Sequence, residues 1–175
     1  MADVLPCPGC GLVAGSGTGA VHAYIGASPG CWALFSESLV TDLGSSASGH
    51  LLGDAYAAQH PGVEERRAVQ SVGVHLVTLC AALEHGWPGT RIIELRRRAV
   101  DSPDGFWTWL DPVLPLGGLT IADVLEPPTP EARADRVTAY VDAVWRAYSP
   151  HHETVRDWTS RLLEQPAERA RPRGR

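Results

Sequence analysis

The pattern of apolar and polar positions along the chain predicts an all-α protein. The clearest pattern lies in residues 131–148, where apolar positions recur in alternating steps of three and one, as on one face of a helix. These positions are Val137, Tyr140, Val141, Val144, Trp145 and Tyr148. Residues 64–85 are apolar nearly all round, which is typical of a central, buried helix, and Cys80 within them is expected to be a small core residue.

Start and stop residues predict further helices. Ser28 is a favourable N-cap and Pro29 suits the first helical position, so a helix should begin there and end at Gly44. Its predicted apolar side is Trp32, Phe35 and Leu39. Other helices are predicted at 50–60, 64–85 and 91–100, with one turn at 120–125 and a last helix from 149–150.

The remaining segments are less regular. Residues 1–27 are rich in glycine and small residues and predict an irregular arm, in which only 21–25 suit a short extended piece. Residues 101–130 hold many prolines, Trp107 and Trp109, and predict an ordered loop around the core. We expect one domain over 1–164, a compact helical bundle with an arm held by a metal site, and a disordered tail over 165–175.

Charge and composition narrow the classes of function. The 175-residue chain has a net charge of −5, and its first 60 residues contain no Lys or Arg, so we expect no nucleic-acid partner. No apolar run is long enough to cross a bilayer, and the first residues lack the pattern of a signal peptide, so no membrane association is expected. These features favour the cytoplasm, where thiols stay reduced and a Cys-x-x-Cys motif favours metal binding over a disulfide.

Three cysteines carry most of the chemical information. Cys7 and Cys10 are separated by Pro-Gly, and a two-residue gap lets both sulfurs of a turn face one cation; Cys31 offers a third thiolate. If Ser28 caps the helix, Cys31 is its third residue, where the helix dipole stabilises a thiolate. With one histidine this set predicts a Cys₃His zinc site, and the alternative is three unliganded thiols.

The fourth ligand is expected to be His50 or His60. One continuous helix would separate them by ~15 Å, so both cannot bind one zinc ion. Asp54 lies one turn after His50 and could support it or act as a ligand itself, which gives His50 a slight preference.

A second site is also conceivable between helices. His151 and His152 fall at the start of the last predicted helix, and His75 lies beside the apolar row of residues 64–85. His75 with His152, and with His60, would form a catalytic metal site. In another version the cysteines supply only three ligands, and Asp54 or a nearby histidine is the base for a metal-bound water, so the candidate catalytic residues are Asp54, His75 and His152. The alternative is a core histidine bonded to a protein group and a pair of capping histidines.

The chain resembles an uncharacterised bacterial family, largely actinobacterial and classed as a domain of unknown function. The resemblance rests on a CPxCG motif at residues 7–11, a second cysteine segment at 27–32 and a Tyr…Gln-His-Pro signature ending at 59–61, with further matches at 74–76 and 150–152. It covers roughly residues 5–164 and implies a metal-binding helical protein, without an activity. Because His60 lies inside the signature, the resemblance favours His60 as the zinc ligand. This opposes the slight preference for His50, so both remain candidates.

Three functions follow as hypotheses. The first is a small cytoplasmic zinc protein with a structural Cys₃His site, whose partner, a small molecule or a protein, binds elsewhere, as in a pocket under the Pro/Trp-rich loop. The second is a metal-dependent hydrolase or group transferase with a histidine-based site. The third is a protein-interaction or regulatory module. The tryptophans and tyrosines are interpreted as packing residues before ligand contacts.

Overall fold

The computed structural model describes residues 5–15, 19, 21–40 and 49–164. Across these residues the chain forms seven α-helices and one short 3₁₀ turn, and it contains no strand, so the all-α prediction is confirmed. The helices are α1 (Pro29–Leu39), α2 (Gly49–Gln59), α3 (Arg66–Leu83), α4 (Gly89–Val100), α5 (Ile121–Leu125), α6 (Pro130–Ala147) and α7 (His152–Glu164), with the 3₁₀ turn at Ser149–His151. The predicted tail, 165–175, lies outside the described residues.

Helix α3 is the centre of the bundle, as its apolar sequence predicted. It packs against α2, α4 and α7, and more than half of its residues are buried. The buried ones are Ala68, Val72, Gly73, Val74, Leu76, Val77, Thr78, Leu79, Cys80 and Ala81. Cys80 is fully buried, in agreement with its expected role as a small core residue.

Helix α6 covers α2 with the face that its periodicity predicted. The buried side chains are Val137, Tyr140, Val141, Val144 and Trp145. Thr129 caps the helix by accepting a hydrogen bond from the Ala132 N–H at 3.2 Å. The last predicted helix begins as the 3₁₀ turn and becomes α-helical only at His152.

Helix α1 begins at the predicted residue, ends earlier than predicted, and buries a partly different set of side chains. The Ser28 hydroxyl accepts from the Cys31 N–H at 3.3 Å, and the helix ends at Leu39 rather than at Gly44, which lies outside the described residues. Leu39 was predicted to be buried but is 53% exposed. Phe35 is buried as predicted and Trp32 is partly buried against the core. The other buried side chains on this helix are Cys31 and Ser38, because the side of α1 that carries Cys31 faces the interior.

The arm and the long loop are held to the bundle by backbone hydrogen bonds. Residues 21–25 form a turn rather than the predicted extended piece, with the Ile25 N–H donating to His22. The loop over 101–130 is ordered and contains α5, and the Leu116 N–H donates to the carbonyl of Gly9 in the arm at 2.8 Å. No helix in the described part of the chain has the length and apolar character needed to span a membrane.

Candidate metal centre

Four potential metal ligands converge where the arm meets α1 and the end of α2. One ligand atom from each of Cys7, Cys10, Cys31 and His60 lies within 4.8 Å of all the others, and all four residues are buried. The sulfurs of Cys10 and Cys31 are 3.7 Å apart, and the Cys31 sulfur is 3.5 Å from Nε2 of His60. Tetrahedral zinc with ordinary bond lengths would set these distances at about 3.8 and 3.6 Å. The spacing therefore fits a tetrahedral metal ion.

A tight turn presents the first two cysteines. The carbonyl of Cys7 accepts from the Gly11 N–H at 2.8 Å, and the Cys7 N–H donates to Leu12 at 2.9 Å. Gly11 has a φ of +76°, in the left-handed region that glycine adopts without strain. The Ser28 N–H donates to the sulfur of Cys7 at 3.3 Å, so a backbone dipole already faces this sulfur.

Gly9 allows this turn to lie directly on the end of α2. A Cβ at this position would be 2.5 Å from Cδ2 of His60 and 2.7 Å from the carbonyl oxygen of Gln59. The small residue between the two cysteines is thus what lets the cysteine turn approach the histidine.

The third cysteine and the histidine are oriented by the same residue, Tyr56. Its hydroxyl donates to the sulfur of Cys31 at 3.4 Å, and its carbonyl accepts from Nδ1 of His60 at 2.7 Å. The proton on Nδ1 leaves the lone pair of Nε2 free on the side that faces the cysteines. The Tyr56 ring stacks on Phe35 at 3.9 Å, which fixes its position.

The cysteines influence one another's protonation strongly. Hydrogen bonds from the thiols of Cys10 and Cys31 hold the pKa of Cys7 well below its ordinary value. The pKa of Cys31 lies well above its ordinary value, because its hydrogen bonds to Cys10 and Cys7 and its burial favour the thiol. A cation at the centre of the cluster would favour all three thiolates at once.

His60, and not His50, lies with the three cysteines. His50 is exposed near the start of α2, whereas His60 is fully buried just beyond its end, where the carbonyl of His60 accepts from the Gly26 N–H at 3.0 Å. The slight preference for His50 therefore does not agree with the structure. Asp54, which motivated that preference, makes its contacts elsewhere.

Asp54 forms a separate network with His75 and Arg96, in which the carboxylate is buried and its two partners are partly exposed. Its side chain is 2% exposed, and one oxygen accepts from Nδ1 of His75 at 2.7 Å while the other accepts from the Arg96 guanidinium at 2.5 Å. This carboxylate joins α2 to α3 and α4. Its negative charge is compensated by an arginine of the same chain.

His151 and His152 lie far from a shared metal position. Nε2 of His152 donates to the carbonyl of Trp145 at 2.9 Å, its ring stacks on that indole, and Nδ1 is 3.9 Å from Glu84. His151 contacts Tyr148 through its ring. In the described ranges, only the Cys₃His group brings three or more Cys, His, Asp or Glu side chains close enough for one ion, so His75, His152 and His60 do not form a second site.

Sequence reasoning did not assign site roles to Tyr56 and Gln59, which are both buried on α2. Gln59 is fully buried, and its amide nitrogen donates to the carbonyls of Leu116 and Leu119, both at 2.7 Å. Its amide oxygen accepts from the Tyr140 hydroxyl at 2.7 Å. The available signal was the spacing, because Tyr56 lies four residues, one helical turn, before His60.

The helical fold and the cluster together define a helical protein with a Cys₃His group suited to a metal ion. Residues 5–149 match the model of DUF5946, a family of unknown function, and the chain belongs to that family. No curated protein and no solved structure matches the chain.

Proposed function

We propose that this protein is a zinc-binding helical protein of the bacterial cytoplasm, in which zinc attaches the N-terminal arm to the bundle. The observation that carries the proposal is the set of four buried ligand atoms within 4.8 Å of one another. The Cys10–Cys31 sulfur distance and the distance from the Cys31 sulfur to Nε2 of His60 are close to those around a tetrahedral ion. A site of three thiolates needs the cysteines reduced, which is the state of thiols in the cytoplasm.

The donor set favours zinc. Three sulfurs and one imidazole nitrogen are ligands typical of structural zinc sites, whereas magnesium and calcium prefer oxygen. The Nδ1 hydrogen bond of His60 to the Tyr56 carbonyl is the outer contact that zinc-bound histidines usually make.

The role of the metal is proposed to be structural. Four protein ligands fill a tetrahedral ion, and a catalytic zinc would need one position open to water or substrate. The four ligands come from the cysteine turn, from α1 and from the residue after α2, so the ion would connect three parts of the chain that are distant in sequence.

Metal content provides the direct test, with Cys31→Ser as the main variant and Cys80→Ala as its matched control. Both cysteines are fully buried, but Cys80 lies in α3 outside the cluster. We expect wild-type protein and Cys80→Ala to carry a single zinc ion by elemental mass spectrometry, and Cys31→Ser to lose it together with a large part of its thermal stability. Wild-type protein that carries no metal after purification under reducing conditions, or a Cys31→Ser variant that keeps its metal, would refute the proposal.

A further inference from the structure

Asp54 of α2 holds an imidazole and a guanidinium next to each other at the surface of the bundle. Its Oδ1 accepts a hydrogen bond from Nδ1 of His75 at 2.7 Å, and its Oδ2 accepts one from Nη2 of Arg96 at 2.5 Å. The Asp54 side chain is 2% exposed, whereas those of His75 and Arg96 are 26% and 38% exposed. A buried carboxylate therefore fixes two groups that extend from it to the solvent.

The hydrogen bond to Asp54 decides which ring nitrogen of His75 carries a proton. A carboxylate only accepts hydrogen bonds, so the proton lies on Nδ1. In the neutral imidazole the lone pair is then on Nε2. This is the nitrogen that acts as a base or a nucleophile when a carboxylate orients a histidine. The contact with Asp54 therefore prepares Nε2 for chemistry.

Nε2 of His75 and Nη1 of Arg96 are open to water. Neither atom makes a hydrogen bond within the ranges that the structure describes, and neither is shielded from solvent there. Among the described atoms of this network, only Nε of Arg96 is both shielded and unpaired. Because both groups bond one carboxylate, a solute can contact the imidazole lone pair and a guanidinium N–H together.

This combination of groups suits a phosphoryl group. Attack through Nε2 of His75 places a positive charge on the imidazole, and the Asp54 carboxylate at Nδ1 stabilises that charge. The phosphoryl oxygens are negatively charged, and a guanidinium N–H such as that of Arg96 is a typical donor to them. The carboxylate and the guanidinium thus favour opposite ends of the same bond-forming step.

We propose that His75 is a phosphoryl acceptor, which takes a phosphoryl group on Nε2 from a small donor of the phosphoramidate class. The Nε2 lone pair forms the new N–P bond as the P–N bond of the donor breaks. The donor nitrogen is already protonated, so it takes the electron pair and leaves as a neutral amine. The product is a phosphohistidine whose Nδ1 proton remains hydrogen-bonded to Asp54.

The proposal goes beyond zinc binding and does not rest on it. Asp54, His75 and Arg96 all lie outside the Cys₃His group. Loss of zinc binding and loss of phosphoryl transfer are therefore separate outcomes.

The test incubates the full chain with phosphoramidate at neutral pH and follows each histidine by tandem mass spectrometry, under alkaline conditions that preserve phosphohistidine. Three exposed histidines are internal controls, since no carboxylate bonds their rings within the described residues, namely His22, His50 and His85. We expect His75 to react at least about 10-fold faster than each control, although its side chain is only 26% exposed. The chain contains no lysine, so no lysine amine competes for the donor.

The position of the phosphoryl group on the ring gives a second readout. ¹H–¹⁵N NMR of the imidazole should show it on Nε2 of His75 and not on Nδ1, because Asp54 occupies the Nδ1 side. Asp54→Asn keeps the size of the side chain but removes its charge, and should slow the reaction at His75 about 10-fold or more. The rates at the exposed histidines should not change, and far-UV circular dichroism shows whether the variant is folded.

His50→Ala is the matched control on α2 and should leave the rate at His75 unchanged. If Asp54→Asn does not fold, the rate and the ring position in the wild type decide. A rate at His75 no higher than at His50, a phosphoryl group on Nδ1, or an undiminished rate in folded Asp54→Asn would overturn the proposal.

Discussion

Helix α2 contributes to two buried polar centres that differ in how their charge is compensated. Near its middle, Asp54 is bonded to His75 and to Arg96, so a positive charge of the chain itself faces the carboxylate. Beyond its end, His60 lies among three cysteines. The first positively charged residue in the sequence is Arg66. Within the part of the chain that the structure describes, none of the hydrogen bonds to the sulfurs of Cys7, Cys10 and Cys31 comes from an arginine.

The comparison shows why a metal ion suits only one of these centres. A buried charge is tolerated when it is paired, and the Asp54 network contains its own cation. Three thiolates with a neutral imidazole need a cation from outside the chain. The two centres should therefore respond differently to chelators and to substitution.

The largest expected effect comes from replacing the histidine ligand. His60→Ala should abolish stable zinc binding and strongly lower the free energy of unfolding, since structural zinc sites contribute on the order of 10 kcal/mol of binding free energy. Elemental analysis and urea denaturation provide the measurement. His50→Ala, near the start of α2, is the control, and because His50 is exposed we expect it to keep both zinc and stability. If His50→Ala behaved like His60→Ala, the assignment of the fourth ligand would be wrong.

The second-largest effect is expected from removing Arg96, the positive charge that faces Asp54. Arg96→Met leaves the Asp54 carboxylate buried with only His75 beside it, and should destabilise the fold by about 3 kcal/mol. Zinc content should stay at the wild-type level, which is the feature that separates the two centres. Urea denaturation with parallel metal analysis tests both points, and loss of zinc in this variant would show that the centres are coupled.

Gln59 offers a buried polar centre without any charge, and we expect its loss to cost less than the loss of either of the other two. Gln59→Leu has a similar volume but leaves two carbonyls and the Tyr140 hydroxyl without their partner, so we expect a loss of about 2–3 kcal/mol. Chemical denaturation measures it. A neutral result would mean that the loop carrying Leu116 and Leu119 gains little from this contact.

The smallest effect concerns a surface counterpart of the Asp54–Arg96 pair. The guanidinium of Arg156 bonds both oxygens of Glu84, and this contact lowers the pKa of Glu84 from its ordinary value of 4.5. Because the pKa of Glu84 is lowered in the folded state, the contact stabilises the fold at pH values above the ordinary pKa. This stabilisation is lost as the pH falls through the lowered pKa of Glu84. Wild type should therefore be slightly more stable than Glu84→Gln at pH 7, with the difference disappearing in acid; salt should also reduce it. Thermal denaturation at several pH values tests this.

Much of the fold was predictable because helix periodicity and end signals are local. The helix at 131–148 and the central position of α3 follow from apolar spacing alone, and the Ser28 cap follows from one residue type at a helix start. The end of α1 was predicted too late. Its inner face was predicted only in part, correctly for Phe35 and wrongly for Leu39, because the position of Cys31 depends on contacts with residues 7, 10 and 56 that no local pattern contains.

The candidate site was also predictable only in part. Cys7, Cys10 and Cys31 were identifiable from residue type and spacing, but the choice between His50 and His60 required the path of the chain around α2. Asp54 and His75 were named as candidates for catalysis. Their direct hydrogen bond and the ion pair of Asp54 with Arg96 could not be inferred, because His75 and Arg96 are 21 and 42 residues from Asp54 in sequence. Long-range pairings of this kind depend on tertiary packing.

The Leu116 backbone has a further consequence for experiment. Its N–H donates to Gly9, between the two cysteines of the turn, and its carbonyl accepts from Gln59 next to His60. The amide proton of this one residue should therefore exchange slowly with deuterium while the turn is held in place. It should exchange much faster when a chelator releases the turn, so hydrogen–deuterium exchange at Leu116 would report metal occupancy from a residue that contacts no metal.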